Sequence, residues 1–172
     1  MLSERLLQEI NKQIKYEFES AHLYMAMAAY CDAEDLPGFA NFYKVQADEE
    51  RFHAMKFYNF LDDMDARVFL YGLDEPNNNY TSVLEAFQKS LEHEKFVTKR
   101  IYTLMDIATE EKEHATISLL KWFIDEQVEE ESMFNANIKK LQRVKDNPAA
   151  LYMLDDELAQ RVFTPPAVGT TN

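Results

Sequence analysis

The sequence predicts an all-α fold: four long helices packed side by side, a long crossover between the second and third, and a short fifth helix near the C-terminal end. Three observations predict it. Among 172 residues only 3 are Gly and 5 are Pro, little material for sheets and tight turns, while the abundant Ala, Leu, Glu, Lys, Gln and Met favour helix. Apolar residues recur at helical spacing in four long segments. The segments are too long for ordinary globular helices: 27 to 33 residues would span ~40–50 Å at 1.5 Å per residue, which suits a bundle of rods.

The first segment runs from about Ser3 to Cys31, with Ile10, Ile14, Ala21, Tyr24 and Ala28 on one stripe. It stops near "CDAEDLPG", where Pro37 fits the first turn of the next helix. The second runs to about Met64, with Phe39, Tyr43, Gln46, Phe57 and Phe60 on its stripe. "DARVFLYGLDEPNNNY" follows, with turn chemistry at Gly72, Pro76 and three asparagines. This connection, about 17 residues, can reach up to ~55 Å, enough to cross the bundle and start the third helix at the far end. Leu70, Tyr71 and Leu73 predict that it lies against the bundle through apolar contacts. Ser82 with Glu85 three residues later reads as a capping box opening the third helix. Its stripe is Val83, Phe87, Ser90, Val97, Ile101, Leu104 and Ala108. The charged stretch "TEEKEH" separates it from the fourth, though no Gly or Pro marks the break. The fourth stripe is Thr116, Leu120, Phe123, Phe134 and Leu141, and "DNPA" ends it. A fifth helix is expected over Ala149 to Arg161. Residues 1–163 read as one domain and 164–172, "TPPAVGTTN", as a flexible tail.

Composition excludes several classes of function. With a net charge of −13, nucleic acid is not an expected partner, because phosphate contacts need clustered Lys and Arg. One cysteine, Cys31, supplies neither an intrachain disulfide nor a thiolate metal site. No apolar run approaches the ~18 residues of a membrane span, and "MLSERLLQEINK" lacks a signal-type apolar run. A cytoplasmic location is expected.

The chemistry lies in what interrupts the stripes. Glu17 takes the missing position between Ile14 and Ala21; Glu50 and His53 fill the gap between Gln46 and Phe57. Glu94 sits between Ser90 and Val97, and Gln127 and Glu130 lie between Phe123 and Phe134. Each helix thus carries one glutamate on its inner face near its midpoint. Rods of similar length bring those midpoints to one level, so four carboxylates and an imidazole converge. Buried ionised carboxylates cost several kcal/mol each without a partner, and like charges repel. No Lys or Arg occupies the inner stripes. Either several glutamates are protonated or cations are bound. Two divalent ions would balance four carboxylates, and the oxygen-rich set with one imidazole suits iron, manganese or zinc. Glu50-x-x-His53 has the helical spacing that aims both side chains at one ion.

These residues, in "YEFESAHLY", "DEERFHAM", "EHE", "FIDEQVEEE" and "ALYMLDDEL", resemble the bacterial-type non-haem ferritins over nearly the whole chain. Ferritin-like di-iron bundles in general carry two Glu-x-x-His motifs; here the second is Gln127-x-x-Glu130, the ferritin pattern rather than the bacterioferritin one. The resemblance implies that Glu17, Glu50 and His53 hold a first iron, that Glu50 bridges, and that Glu94 and Glu130 hold a second with Gln127 as an outer partner. Tyr24 would sit beside the centre, bonding a ligand or giving an electron, or simply packing as a core aromatic. Glu49, Glu126 and Glu129, with Glu130 shared, look like a third iron site. No haem is expected, because Arg51 stands where bacterioferritins place the haem-ligating methionine. His22, His93 and His114 receive no role.

The implied function is iron storage: Fe²⁺ binds at a di-iron ferroxidase centre, is oxidised by O2 or H2O2, and is stored as a ferric oxyhydroxide core in a shell of 24 subunits. A second apolar stripe, Tyr16, Leu23, Met27 and Tyr30, with Phe52, Met55 and Tyr58 on the second helix, is expected to face away from the core toward other subunits or the crossover. Two alternatives stand: a di-iron oxidase or peroxidase without mineral storage, and a metal-free helical adaptor.

Overall fold

The computed structural model describes residues 2–165. It contains α1 (Glu4–Ala33), α2 (Pro37–Asp63), α3 (Val83–Glu110), α4 (His114–Val144) and α5 (Pro148–Leu158), with no strand among the described residues. The expected tail is described only as far as Pro165; residues 166–172 lie outside the described residues.

Short turns make α1–α2 and α3–α4 into antiparallel hairpins. Three of the four long helices end on a residue with positive φ: Asp35 (56°), Asp65 (51°) and Lys112 (55°). Glycine is the usual residue at such a left-handed stop. Here Asp and Lys take it, which is why the break at "TEEKEH" carries no glycine. Glu113 then caps α4, its carboxylate accepting from the Thr116 amide at 2.7 Å. Ser3 and Ser82 cap α1 and α3 in the same way. Glu85 reaches back to Thr81, accepting from its amide (2.6 Å) and hydroxyl (2.7 Å).

The connection from α2 to α3 runs along α1. Residues 67, 69, 74 and 80 meet Asn11, Lys15, Glu19 and Tyr30 in order: Asn11 brackets Arg67 and Phe69 by backbone bonds (3.3 and 2.6 Å), Lys15 pairs with Asp74 (3.2 Å), Glu19 accepts from the Asp74 amide (3.0 Å), and Tyr30 packs edge-on against Tyr80. The strap therefore delivers α3 to the far end of the bundle, as its length predicted. Its means of attachment differs from expectation. Leu70, Tyr71 and Leu73 face outward; Val68 and Tyr80 make the apolar contacts instead. Polar side chains of α1 also hold the strap, chiefly by its backbone, because an extended segment offers unpaired amides and carbonyls that need partners.

Two further expectations are corrected. Met27 is fully buried, packed with Cys31, Phe87 and Phe134, because the bundle encloses more of α1 than one stripe. Tyr30 and Leu23 are partly covered by the same cluster. The fifth helix is shorter than Ala149–Arg161. Asn41 on α2 donates to the carbonyls of Leu158, Ala159 and Arg161 (3.2, 3.3 and 3.0 Å), which turns the chain and leaves Arg161 outside the helix.

α5 packs on α2 and α4. Its buried Asp155 accepts from the Phe39 amide at 2.9 Å, supplying the acceptor that α2 lacks, since Leu36 at its N-cap offers none. Gly38 makes this approach possible: a Cβ there would lie 1.7 Å from the Asp155 carbonyl oxygen.

The core is split. One apolar cluster joins Tyr24, Met27, Phe39, Tyr43, Phe87, Phe134 and Leu158. The other joins Leu6, Ile10, Ile14, Phe57, Ile101, Leu104, Leu120 and Phe123. Between them, at mid-height, lies a layer of polar side chains.

Candidate metal centre

That layer is where the four rods bring their interrupting residues. Glu17, Glu50, His53, Glu94, Gln127 and Glu130 are each at most 4% exposed. Glu17, Glu50 and His53 place one ligand atom apiece within 4.8 Å of one another. His53 Nδ1 lies 3.3 Å from a Glu50 oxygen, as the one-turn spacing dictates. The other ring nitrogen, Nε2, faces Glu126 at 3.8 Å.

The remaining two glutamates are positioned by neutral donors. The Tyr24 hydroxyl donates to Glu94. The Gln127 amide donates to the other Glu94 oxygen (3.1 Å), and lies 3.2 Å from both the Glu94 carbonyl and the Thr98 hydroxyl. The Gln46 amide donates to Glu130 at 2.7 Å, and Gln13 to Glu17 at 2.9 Å. Each amide orients a carboxylate without neutralising it. The carbonyl oxygens of Gln13 and Gln46 are themselves buried without a partner, which adds acceptors to a layer already full of them.

The electrostatics follow. Burial pushes the Glu17 carboxyl well above its usual range, and the Glu50 charge adds to it. Glu50 is raised by burial and then by Glu94. Glu130 is raised by burial, then by Glu94 and Glu50. Glu94 is raised by burial against the opposing bonds from Tyr24 and Gln127. Burial and the Glu94 charge also hold the Tyr24 phenol protonated, far above its ordinary range. Four carboxylates therefore compete for protons, and no lysine or arginine bonds to any of them among the described residues. Carboxylate oxygens with one imidazole are a donor set for a divalent first-row metal.

Of the outer acids, Glu49 is half-buried and Glu126 lines the same cleft beside His53. Glu129 lies exposed on α4. The cleft has a volume of about 300 Å³ and is walled by Phe52, Trp122 and the chain after α5. Sequence reasoning missed Gln13, although it stands one turn from Glu17, where the helical spacing could have found it. It placed Gln46 on the stripe without a task. It missed Arg161, which pairs with Glu49 at 2.5 Å; 112 residues separate the two, and nothing local signals it. His93, given no role, is held by Ser20 at 2.7 Å, and burial lowers its ring to about 4.

The chain matches the ferritin-like domain over residues 7–144. It is 50% identical over 163 residues to a bacterial non-haem ferritin of Staphylococcus aureus, covering 95% of this chain and 98% of that one. It is 47% identical to the corresponding protein of Staphylococcus saprophyticus, with the same coverage. Among solved structures it superposes on an open-pore ferritin of Archaeoglobus fulgidus with a TM-score of 0.92 at 42% identity, covering 93% of this chain and 98% of that one. A humanised archaeal ferritin gives a TM-score of 0.95 at 42% identity, covering 96% and 100%. With its carboxylate layer set between two apolar half-cores, this chain belongs to the bacterial non-haem ferritin family.

Proposed function

We infer that this chain is the subunit of an iron store, and that the buried layer is its ferroxidase centre. One observation carries the reading: four carboxylates and an imidazole are buried at one level with, among the described residues, no lysine or arginine bonded to them. Burying such charges unpaired is strongly unfavourable, whereas two divalent ions would balance them. Fe²⁺ is then substrate as well as ligand partner. Glu17, Glu50 and His53 would hold the first ion, Glu94 and Glu130 the second, with Glu50 between them. Glu126 facing His53 Nε2 favours the tautomer that leaves Nδ1 free to bind, a common role for a carboxylate behind a metal-binding histidine. Gln127 and Tyr24 hold Glu94 in place.

Two Fe²⁺ side by side can pass one electron each to O2 or H2O2, so a two-electron step is completed without releasing a radical. Carboxylates favour Fe³⁺ over Fe²⁺, which drives the step forward. A third ion at Glu49, Glu126 and Glu129, with Glu130 shared, belongs to the same reading; the exposure of Glu129 makes it the loosest of these positions. Product iron collects as a ferric oxyhydroxide core within a shell of 24 subunits, and a cytoplasmic location goes with that role. Exposed Met25, Met55, Phe96, Tyr102 and Val128 are available for subunit contacts.

Anaerobic Fe²⁺ titration followed by exposure to O2 tests the reading. Two or three tight sites per chain, fast oxidation and a growing ferric core are expected, in particles of roughly 480 kDa for 24 chains of 20.2 kDa. Glu50→Ala and His53→Ala should each slow the fast phase at least about tenfold while leaving assembly intact. Oxidation without core growth would instead indicate a di-iron oxidase, and absence of tight binding would refute the centre.

A further inference from the structure

We propose that Arg161 is the resident counter-ion of the cleft beside the metal centre: its guanidinium occupies Glu49 until a divalent cation displaces it, so the chain's own C-terminal segment sets how readily that outer position fills. The proposal rests on the reading of the buried layer as a metal centre, and it concerns residues outside that layer.

The cleft holds two carboxylates, Glu49 and Glu126, and the edge of the His53 ring. His53 is 3% exposed and its Nε2 faces Glu126 at 3.8 Å. Among the described residues two cationic side chains lie near the cleft: Lys56 sits over the Trp122 ring at 4.5 Å, and Arg161 bonds directly to a cleft carboxylate. Arg161 Nη2 donates to Glu49 Oε2 at 2.5 Å, with both side chains 19% exposed. It is not a loose surface pair. The guanidinium lies 4.4 Å over the Phe42 ring and its Nη1 donates to the Phe42 carbonyl at 3.4 Å. The backbone carbonyl of Arg161 is itself fixed by Asn41. Two residues on, Phe163 packs against Phe52 and lines the cleft. A planar fork on a fixed backbone can satisfy one carboxylate, but it cannot draw Glu49 and Glu126 together as a small ion can.

The arrangement has a clear consequence. With no ion in the cleft, Arg161 keeps Glu49 from standing half-buried and unpaired. When an ion arrives, it must first compete with a cation held at high local concentration by the fold. Binding at the outer position is therefore weaker than its ligands alone would give, while the inner set, which Arg161 does not bond and reaches only through its field on Glu130, is affected far less. The competing pair is worth the few-fold effect of a partly screened salt bridge rather than orders of magnitude.

The test is calorimetric titration of the assembled, metal-free protein with Zn²⁺, a redox-inert probe, which reads affinity without turnover. Arg161→Gln is expected to tighten the weaker, outer binding event about three- to tenfold and to move the tight events by less. Arg161→Lys, which keeps the charge without the planar fork, should shift the same event in the same direction by less. In Glu49→Gln the outer event should be lost or greatly weakened, and adding Arg161→Gln should then change nothing. A structure of the Zn²⁺-loaded protein should show Arg161 withdrawn from Glu49. Outer affinity that is unchanged or weaker in Arg161→Gln, with tight binding intact, would overturn the proposal alone. If Arg161→Gln fails to assemble, the absence of any tightening in Arg161→Lys overturns it equally. Absence of tight Zn²⁺ binding to the wild type would sink the centre and this inference together.

Discussion

At the scale of single residues, the centre depends on neutral amides as much as on its acids. Gln46 donates to Glu130 and Gln127 to Glu94. An amide can orient a carboxylate while leaving its charge available to an ion; a lysine would hold it and cancel it. Gln46→Leu removes an orienting donor and keeps the volume roughly constant. It is expected to weaken Zn²⁺ or Fe²⁺ binding about 10- to 100-fold, the usual scale for a partner standing behind a ligand, with helix content unchanged by circular dichroism. Cys31 shows the opposite case. Burial pushes its thiol up to about 12, so it acts as a small apolar core residue and not as a ligand.

At the scale of elements, helix ends and docking contacts decide where the rods stop. Lys112 holds a left-handed backbone (φ 55°) between α3 and α4, a conformation that costs a residue with a Cβ about 1 kcal/mol. Lys112→Gly should therefore stabilise the protein by about 0.5–1 kcal/mol, read as a higher denaturation midpoint. A lower midpoint would show that the Lys side chain does more than its exposed position suggests. Gly38 is the reverse. Its missing Cβ lets α5 bring Asp155 onto the first turn of α2. Gly38→Ala forces the two apart and should cost about 1–3 kcal/mol, with faster hydrogen exchange concentrated in α5. An unchanged midpoint would mean that α5 docks without that close contact.

At the scale of the whole molecule, the buried layer places a polar fault through the core, and its effect depends on pH. Glu17, Glu50 and Glu130 all have raised carboxyls in the folded protein. The native state therefore binds protons that the unfolded chain releases. Their favourable contribution is fully present below the ordinary carboxylate value, about 4.3, and is lost as pH rises through the raised values. Glu85, lowered by its bonds from Thr81, acts in the opposite sense, but only as pH falls below the ordinary range. The melting temperature of metal-free protein should thus decline as pH rises above the ordinary carboxylate range, and saturating Zn²⁺ should abolish the decline. A metal-free protein whose melting temperature rises with pH above that range would show that the carboxylates are not buried as described.

The sequence by itself determined the helical rods, their order and the level at which Glu17, Glu50, His53, Glu94 and Glu130 meet. These are consequences of the 3.6-residue period: a helix fixes which side chains share a face and how far along the axis each sits, so a carboxylate replacing a stripe residue must point inward. The turn without glycine at Lys112 was legible only as a charged break, since the backbone twist there is imposed by the helices on both sides. The tertiary structure alone decided that Gln46 holds Glu130 and Gln127 holds Glu94, that polar groups on α1 fasten the crossover, and that Arg161 lies against Glu49. Those contacts join residues dozens to more than a hundred positions apart. Local periodicity carries no information about them; they exist because folding brings distant donors and acceptors into a space where each must find a partner.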